Sequence, residues 1–334
     1  MKLFNFYLMK RAFVFSFFIL AVFGLIDLLF NFMSELENIT ERYLFLSILD
    51  YVLRSMPHRM TNFLEGACLL GTMLSLGLSH QEGNLNVLRS AGYSPIKIIS
   101  ITALGSIVLV FSLLMLDELA FKKMHSNAQI NKYLLSDKKI DQDTKWVRSG
   151  NSYLGYSDIS GKRIINPKLI ILDNQKNITV LKSDIAKIDK DSLVFNKNEV
   201  IDFILPIQSR ISFKNISYQK LSKIYEYRSY FKNTDEESEM RYKLHLEKFF
   251  YKTLFLPFSI FILILFFGSF IFTSLRESNL GIRITISVLG AFLYKLSQDL
   301  SIGIFISYNL SVLIGVVLPA IFLLLFSIKT YRDI

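Results

Sequence analysis

Charged side chains set inside long apolar runs are where this sequence could do chemistry. Lys295 and Asp299 stand four residues apart in the apolar stretch Ile284–Phe305, on one face of a helix. Glu65 interrupts Phe63–Leu78, and Asp27 interrupts Ala12–Phe32. A lone charge in such surroundings costs at least ~2.5 kcal/mol on insertion scales, so it is paired, solvated or near an ion of opposite sign. Two readings of Lys295 follow. In one it pairs with Asp299 or Glu65, or snorkels outward. In the other it lines a cavity and meets a phosphate. Asp27 reads as the buried partner of a basic residue. Five more lysines, Lys122, Lys123, Lys243, Lys248 and Lys252, lie where the middle of the chain joins the apolar runs. They fit headgroup anchoring and phosphate attraction equally.

A second constellation is the polar segment His80–Lys97, which reads HQEGNLNVLRSAGYSPIK. Leu85, Leu88 and Ala91 keep helical spacing, Gly92 ends the pattern and Pro95 follows. A short amphipathic helix between two apolar runs either docks in a groove on a soluble partner or caps a loop at the interface. Leu85, Leu88, Arg89, Ala91 and Gly92 are its candidate docking residues.

Other chemistry lacks its residues. The sequence contains no GxxxxGK[ST], GxSxG or HExxH. His58, His80, His125 and His245 are far apart, without the clustering a metal site needs. The single cysteine, Cys68, lies in an apolar run and reads as a small buried residue. No catalytic residue, metal or cofactor is therefore expected. The net charge of +10 comes without a basic helix or stacking motif, so anionic lipid fits it better than nucleic acid.

The elements that must position these residues fall into three blocks. A bilayer core needs about 20 apolar residues in a helix. Ala12–Phe32, Phe63–Leu78 and Ile98–Leu116 supply three candidates before the middle of the chain; Phe249–Phe272, Ile284–Phe305 and Leu310–Ile328 supply three after it. Tyr43–Met56 is amphipathic and short, an interfacial helix. The predicted organisation is residues 1–116, with the short polar helix near 81–92, then 117–248, then 249–334. Nine Lys and Arg lie on the side of the termini, against Arg42, Arg54 and Arg59 on the other, which puts both termini in the cytoplasm. The chain runs only briefly past its last apolar run, where a sensor would be expected to append an output domain.

The middle block alternates with period two. Tyr153–Ile159, Leu169–Leu172, Ile178–Leu181, Ile185–Ile188, Leu193–Phe195, Val200–Leu205 and Ile211–Ile216 read as strands. Asp173-Asn174, Asp189-Lys190-Asp191 and Asn196-Lys197-Asn198 read as turns. The fold class is thus an α+β integral membrane protein: six transmembrane helices, three plus three, around an inserted antiparallel β sandwich or jelly roll. Ile170, Ile178 and Phe203 are taken as inward positions of that sheet domain, open to an acyl chain.

The stretch LRSAGYSP resembles the loop after the second membrane helix of the LptF/LptG permeases, which export lipopolysaccharide and share the three-domain-three layout. Other stretches resemble the LptG branch. These are Trp146-Val147-Arg148-Ser149-Gly150-Asn151-Ser152-Tyr153, Leu275-Arg276 with Leu280-Gly281-Ile282-Arg283, Ile314-Gly315 with Leu318-Pro319, and Arg54–Pro57 with Leu70-Gly71 and Leu76-Gly77. The resemblance covers nearly the whole chain. It implies a multi-pass protein of the bacterial inner membrane with a periplasmic jelly roll. Its implied partners are an LptF-like permease, an LptB-like ATPase dimer that hydrolyses ATP, an LptC-like bitopic protein, lipopolysaccharide and membrane lipids, with no nucleic acid. Under it Lys295, Lys122, Lys123, Lys248 and Lys252 would meet lipid A phosphates. Six positions, at four places, depart from the pattern. Asn84 replaces an acidic residue early in the coupling helix, with Glu82 two residues before. Asn31, Glu35 and Glu37 stand where basic residues often end the first helix, and Glu65 and Phe121 stand where prolines are common.

Two alternatives stay open on the residues alone. A permease for another lipid or envelope task would share the short polar helix but not the jelly roll. A membrane-anchored binding or sensor protein would lack that helix.

Overall fold

The computed structural model describes residues 2–135, 145–160, 163–172, 178–189, 192–195, 200–203, 205, 219–230, 237–272 and 279–332. Two compact units result. The first comprises Met1–Leu29, Met56–Leu119 and Glu247–Ile334; the second comprises Phe30–Ser55 and Ala120–Leu246.

The first unit is helical. It draws on α1 (Lys2–Leu36), α2 (Phe45–Met60), α3 (Leu64–Gln81), α4 (Asn84–Ser90), α5 (Pro95–Leu116), α8 (Glu237–Ser269), α9 (Leu280–Ser307) and α10 (Val312–Arg332). Among the described residues, five stretches are long and apolar enough to cross a membrane: Leu3–Leu36, Phe45–Gln81, Pro95–Lys132, Met240–Ser269 and Val312–Arg332. α9, with 28 residues, is about 42 Å long at 1.5 Å per residue. That exceeds a bilayer core of about 30 Å. Lys295, Gln298 and Asp299 lower its hydropathy, so the expected span Ile284–Phe305 is a helix of sufficient length but is not among the five. The interfacial helix expected at Tyr43–Met56 is α2, which continues through a 3₁₀ turn, Thr61–Phe63, into α3. Pro57, Pro257 and Pro319 lie inside helices, where neighbours and local adjustment satisfy the freed carbonyls.

Small residues let these helices approach closely. A Cβ on Gly71 would lie 2.4 Å from the Ser16 Cα, and one on Gly105 would lie 2.1 Å from the Met9 carbonyl oxygen. Beside these crossings Ser106 Oγ lies 2.9 Å from Ser16 Oγ and 2.7 Å from Thr72 Oγ1. Three buried hydroxyls thus tie α1, α3 and α5 together. Asp27 receives Arg59 Nη2 at 2.8 Å, the basic partner expected for it.

Among the described residues the second unit contains α6 (Lys122–Leu135), α7 (Leu221–Tyr230) and nine strands. One sheet has the order β1-β2-β5-β6: β1 (Lys145–Ser149), β2 (Ser152–Tyr156), β5 (Lys168–Leu172) and β6 (Ile178–Lys182). The other has the order β3-β4-β7-β8-β9: β3 (Asp158–Ser160), β4 (Arg163–Ile165), β7 (Ile185–Asp189), β8 (Ser192–Val194) and β9 (Val200–Asp202). Every pairing is antiparallel. Leu154, Tyr156 and Leu169 from the first sheet share a core with Ile159, Ile164, Ala186 and Leu193 from the second.

The single strand expected at Tyr153–Ile159 is two. The chain changes sheets at Ser157, and the inward set shifts phase from Leu154 and Tyr156 to Ile159. Such corners let one chain line both walls of a sandwich. Asn166, at φ 50°, turns a second corner, and Ser183-Asp184 a third. The last two are joined by Asn166 N–H to Asp184 O, 2.9 Å, and Ser183 N–H to Pro167 O, 3.2 Å. β1 and the three-residue β4 were not predicted as strands. Ile211–Ile216 and the expected turns at 173–174, 190–191 and 196–198 lie outside the described residues.

Candidate functional site

Three places hold the side chains singled out by sequence. The first is a charge group on the helical unit. Glu65, in the first turn of α3, is 5% exposed, and its Oε1 has no hydrogen-bond partner among the described residues. The charges acting on it belong to Lys252, Lys295 and Asp299. Lys252 Nζ donates to Asp299 Oδ1 at 2.7 Å, bridging α8 and α9. Lys295 Nζ donates instead to the Asn62 carbonyl at 3.0 Å. The i,i+4 pair expected between Lys295 and Asp299 is therefore not made. Asp299 is taken by a lysine 47 residues away, and Lys295 reaches the carbonyl of the 3₁₀ turn before α3. Two ammonium groups and two carboxylates gathered on an apolar helix bundle can hold an anionic headgroup with one cation while an internal ion pair fixes the other.

The remaining lysines are divided. Lys122 and Lys123 belong to the second unit, and Lys248 to the first. Lys122 is buried and donates to the Gln219 carbonyl at 3.1 Å, so it is a structural residue within its unit. Lys123 is exposed and Lys248 half-buried.

The second place is α4. Gly83 at φ 77° precedes it and Gly92 at φ 84° follows it, a left-handed geometry that glycine adopts without strain. Gly92 N–H to Arg89 O and Tyr93 N–H to Leu88 O, both 3.0 Å, close the end. The Ser94 side chain then caps α5, with Pro95 in its first turn. Leu85 and Leu88 are buried in the core of the helical unit. Their expected role as the docking face is thus corrected: they anchor α4 to its own bundle. The open side carries Val87, 63% exposed, together with Arg89, Ala91 and Gly92. Sequence reasoning missed Arg11, whose guanidinium grips Glu82 just ahead of α4 at 2.5 and 2.7 Å. Glu82 also accepts from Asn84 at 2.8 Å. The resulting charge pair holds the Glu82 carboxyl below its ordinary range. The signal for this pair was the acidic residue itself; its partner is 71 positions away.

The third place is the sandwich. Phe203 is buried in its core, as expected. Ile170 and Ile178 are not inward. Leu169 points to the core, so Ile170 faces the other way, and Ile178 is 65% exposed. Both faces of this sheet carry apolar residues, and period two alone cannot tell which is inner.

His58 Nδ1 lies 2.7 Å from Asp117 Oδ1, both buried, where α5 passes into a π turn at Asp117–Phe121. This pair, also missed, joins α2 to α5. Cys68 is buried, as expected.

Residues 6–333 match the family model of the lipopolysaccharide export system permease LptF/LptG. The chain belongs to the LptF/LptG family. Among curated relatives, the lipopolysaccharide export system permease protein LptG of Escherichia coli (strain K12) is 22% identical over 296 residues, which is 81% of each chain. LptG of Haemophilus influenzae (strain ATCC 51907 / DSM 11121 / KW20 / Rd) is 21% identical and covers 80% of each. The LptF/LptG match runs through both structural units, so the sandwich and the helices are parts of one family architecture.

Proposed function

We propose that this chain is the LptG-type half of a lipopolysaccharide exporter in the bacterial inner membrane. It pairs with an LptF-like permease, and α4 rests on one copy of an LptB-like ATPase dimer, which hydrolyses the ATP. An LptC-like bitopic protein completes the complex. The two permeases enclose a cavity that takes lipopolysaccharide from the outer leaflet, and closure of that cavity passes the lipid towards a bridge of sheets. The chain supplies pathway and coupling and does no chemistry itself. The observation that carries this reading is one family match, over residues 6–333, spanning a helix bundle and an inserted antiparallel sandwich.

Within it, residues 1–116 and 249–334 form the membrane part and 117–248 the periplasmic part. The Lys and Arg bias supports cytoplasmic termini and a cytoplasmic α4. Lys295 offers the cation for a lipid A phosphate, with Lys252 fixed beside it by Asp299; α1 itself carries Asn31, Glu35 and Glu37 at its outer end and adds no cation there. Val87, Arg89, Ala91 and Gly92 form the docking side of α4, set by Leu85 and Leu88 beneath. Phe203 belongs to the sandwich interior, and Lys123 and Lys248 lie near the headgroups.

Purification of the full chain from its native membrane tests this. A second permease and an ATPase should co-purify, and ATP should release lipopolysaccharide from the reconstituted complex. Recovery of the chain alone, or of a complex that leaves lipopolysaccharide in place while moving another lipid, would overturn it. Single cysteines at Ser90 and Ser149, in a Cys68→Ser background, should react with an impermeant thiol reagent from opposite sides.

A further inference from the structure

The outer face of the sheet β1-β2-β5-β6 has an unusual make-up. An antiparallel sheet with one face on a core commonly turns a polar face to water. Here the register Arg148–Tyr153–Ile170–Val180 runs across all four strands on the outer side. The next outer rung along β5 and β6 is Leu172 with Ile178. Val180 is 49% exposed and Ile178 65%. On the other flank the Trp146 indole lies flat over Gly155, where a Cβ would come within 2.9 Å of the ring. A glycine is required there for the ring to lie down. Arg148 stacks on Tyr153, 5.5 Å from the ring centroid. The result is an apolar and aromatic floor.

The charges on this face have one sign. In register with Trp146 and Gly155 are Lys168 and Lys182, directly opposite one another on β5 and β6. Like charges so placed destabilise a strand pair. Neither ammonium has an ion-pair partner among the described residues. No acidic residue occupies the outer positions of these four strands. An anion between the two lysines would remove their repulsion. From that rung to Leu172 and Ile178 is about 14 Å, four residues at ~3.4 Å each, all of it apolar. The length suits most of one acyl chain laid along the strands.

We propose that this outer face binds a phosphate-bearing acyl amphiphile, with the phosphate between Lys168 and Lys182 and a chain along Ile170, Val180 and Ile178. This rests on the export reading above and adds a second lipid surface to the sandwich, outside its core. Charge and apolarity together select the occupant: a neutral lipid would leave the lysines opposed, and free phosphate would leave the floor bare.

The test uses the full chain, reconstituted in nanodiscs with lipopolysaccharide or with its enzymatically dephosphorylated form. A photoreactive phenylalanine analogue is placed at Val180 or Ile178, and at Leu296 on α9 as a membrane control. Lipid adducts are expected at Val180 and Ile178. They should fall about ten-fold, or ~1.4 kcal/mol, in Lys168→Gln/Lys182→Gln and with dephosphorylated lipid, and persist in Lys168→Arg/Lys182→Arg. Adducts at Leu296 without any at Val180 or Ile178 would overturn this proposal and leave the export reading standing. Absence of lipid at all three positions would overturn both. Adducts at Val180 that contain protein instead of lipid would assign the face to a partner chain and overturn the lipid site. Adducts indifferent to phosphate and to both lysine variants would also overturn it.

Discussion

Arg11 on α1 and Glu82 ahead of α4 meet end to end, with two guanidinium nitrogens on two carboxylate oxygens at 2.5 and 2.7 Å. The same guanidinium receives support from the Tyr7 hydroxyl at 2.7 Å. This bidentate geometry fixes direction as well as distance, so the segment entering α4 is tied to the first helix of the bundle.

Arg11→Ala should loosen α4 without unfolding the bundle, because Leu85 and Leu88 still anchor it. Hydrogen exchange of residues 84–90, corrected for intrinsic rates, should rise. Arg11→Glu combined with Glu82→Arg should restore protection, whereas either change alone should not. The pair also has a pH signature. Arg11 depresses the Glu82 carboxyl below the ordinary 4.5. Its stabilisation is therefore complete above that value and is lost as pH falls through the lowered one. Protection of α4 should be flat at neutral pH and fall only in acid, and Glu82→Gln should abolish that acid dependence.

The two faces of α4 can be separated by charge. Val87→Asp alters an exposed position, so the chain should insert and fold normally but lose most of its ATPase on purification. Leu88→Asp buries a carboxylate in the bundle core and should cost stability first, on the order of 3 kcal/mol or more. Equal loss of ATPase in both variants at equal folded yield would refute docking through the open side.

Lys252 and Lys295 should respond differently to neutralisation. Lys252→Gln leaves Asp299 without its partner and should lower the yield of folded chain by the equivalent of about 1 kcal/mol for a half-exposed pair. Lys252→Gln with Asp299→Asn should recover it. Lys295→Gln breaks no ion pair and loses a bond to a backbone carbonyl together with a charge that acts on Glu65, so yield should hold in a Glu65→Gln background while lipopolysaccharide-stimulated ATP turnover still drops. Lys295→Arg should retain much of that turnover. Recovery of a Lys295→Gln defect by Asp299→Asn would contradict the pairing of Asp299 with Lys252.

Gly105 and Gly303 make a matched pair of helix glycines. A Cβ at Gly105 would press on the Met9 backbone, which cannot yield locally, so Gly105→Ala should destabilise the solubilised chain by about 1–3 kcal/mol. Nothing lies within 4 Å of a Cβ at Gly303. Gly303→Ala should therefore be neutral or stabilising by up to roughly 1 kcal/mol through helix propensity. Thermal unfolding in one detergent reads both.

Much of this protein was legible along the chain because its strongest constraints are local. Backbone groups in a bilayer must be satisfied within the segment that carries them, so runs such as Ile98–Leu116 could only be helices. Gly92 and Pro95 ended α4 through their own dihedral preferences, and alternating residues such as Leu193 and Phe195 marked strands. What tertiary structure alone decided is who meets whom and which way a face turns. Asp299 had a lysine four residues away and another 47 away, and the packing of α8 against α9 chose the distant one. Leu85 and Leu88 formed an apolar stripe that fits an outside groove or an inside core equally well; the bundle beneath α4 decided. Ile170 alternates correctly beside Leu169, but a two-residue period is the same read from either side of a sheet. Only the second sheet, closing over Leu154 and Leu169, determined that Ile170 and Ile178 look outward.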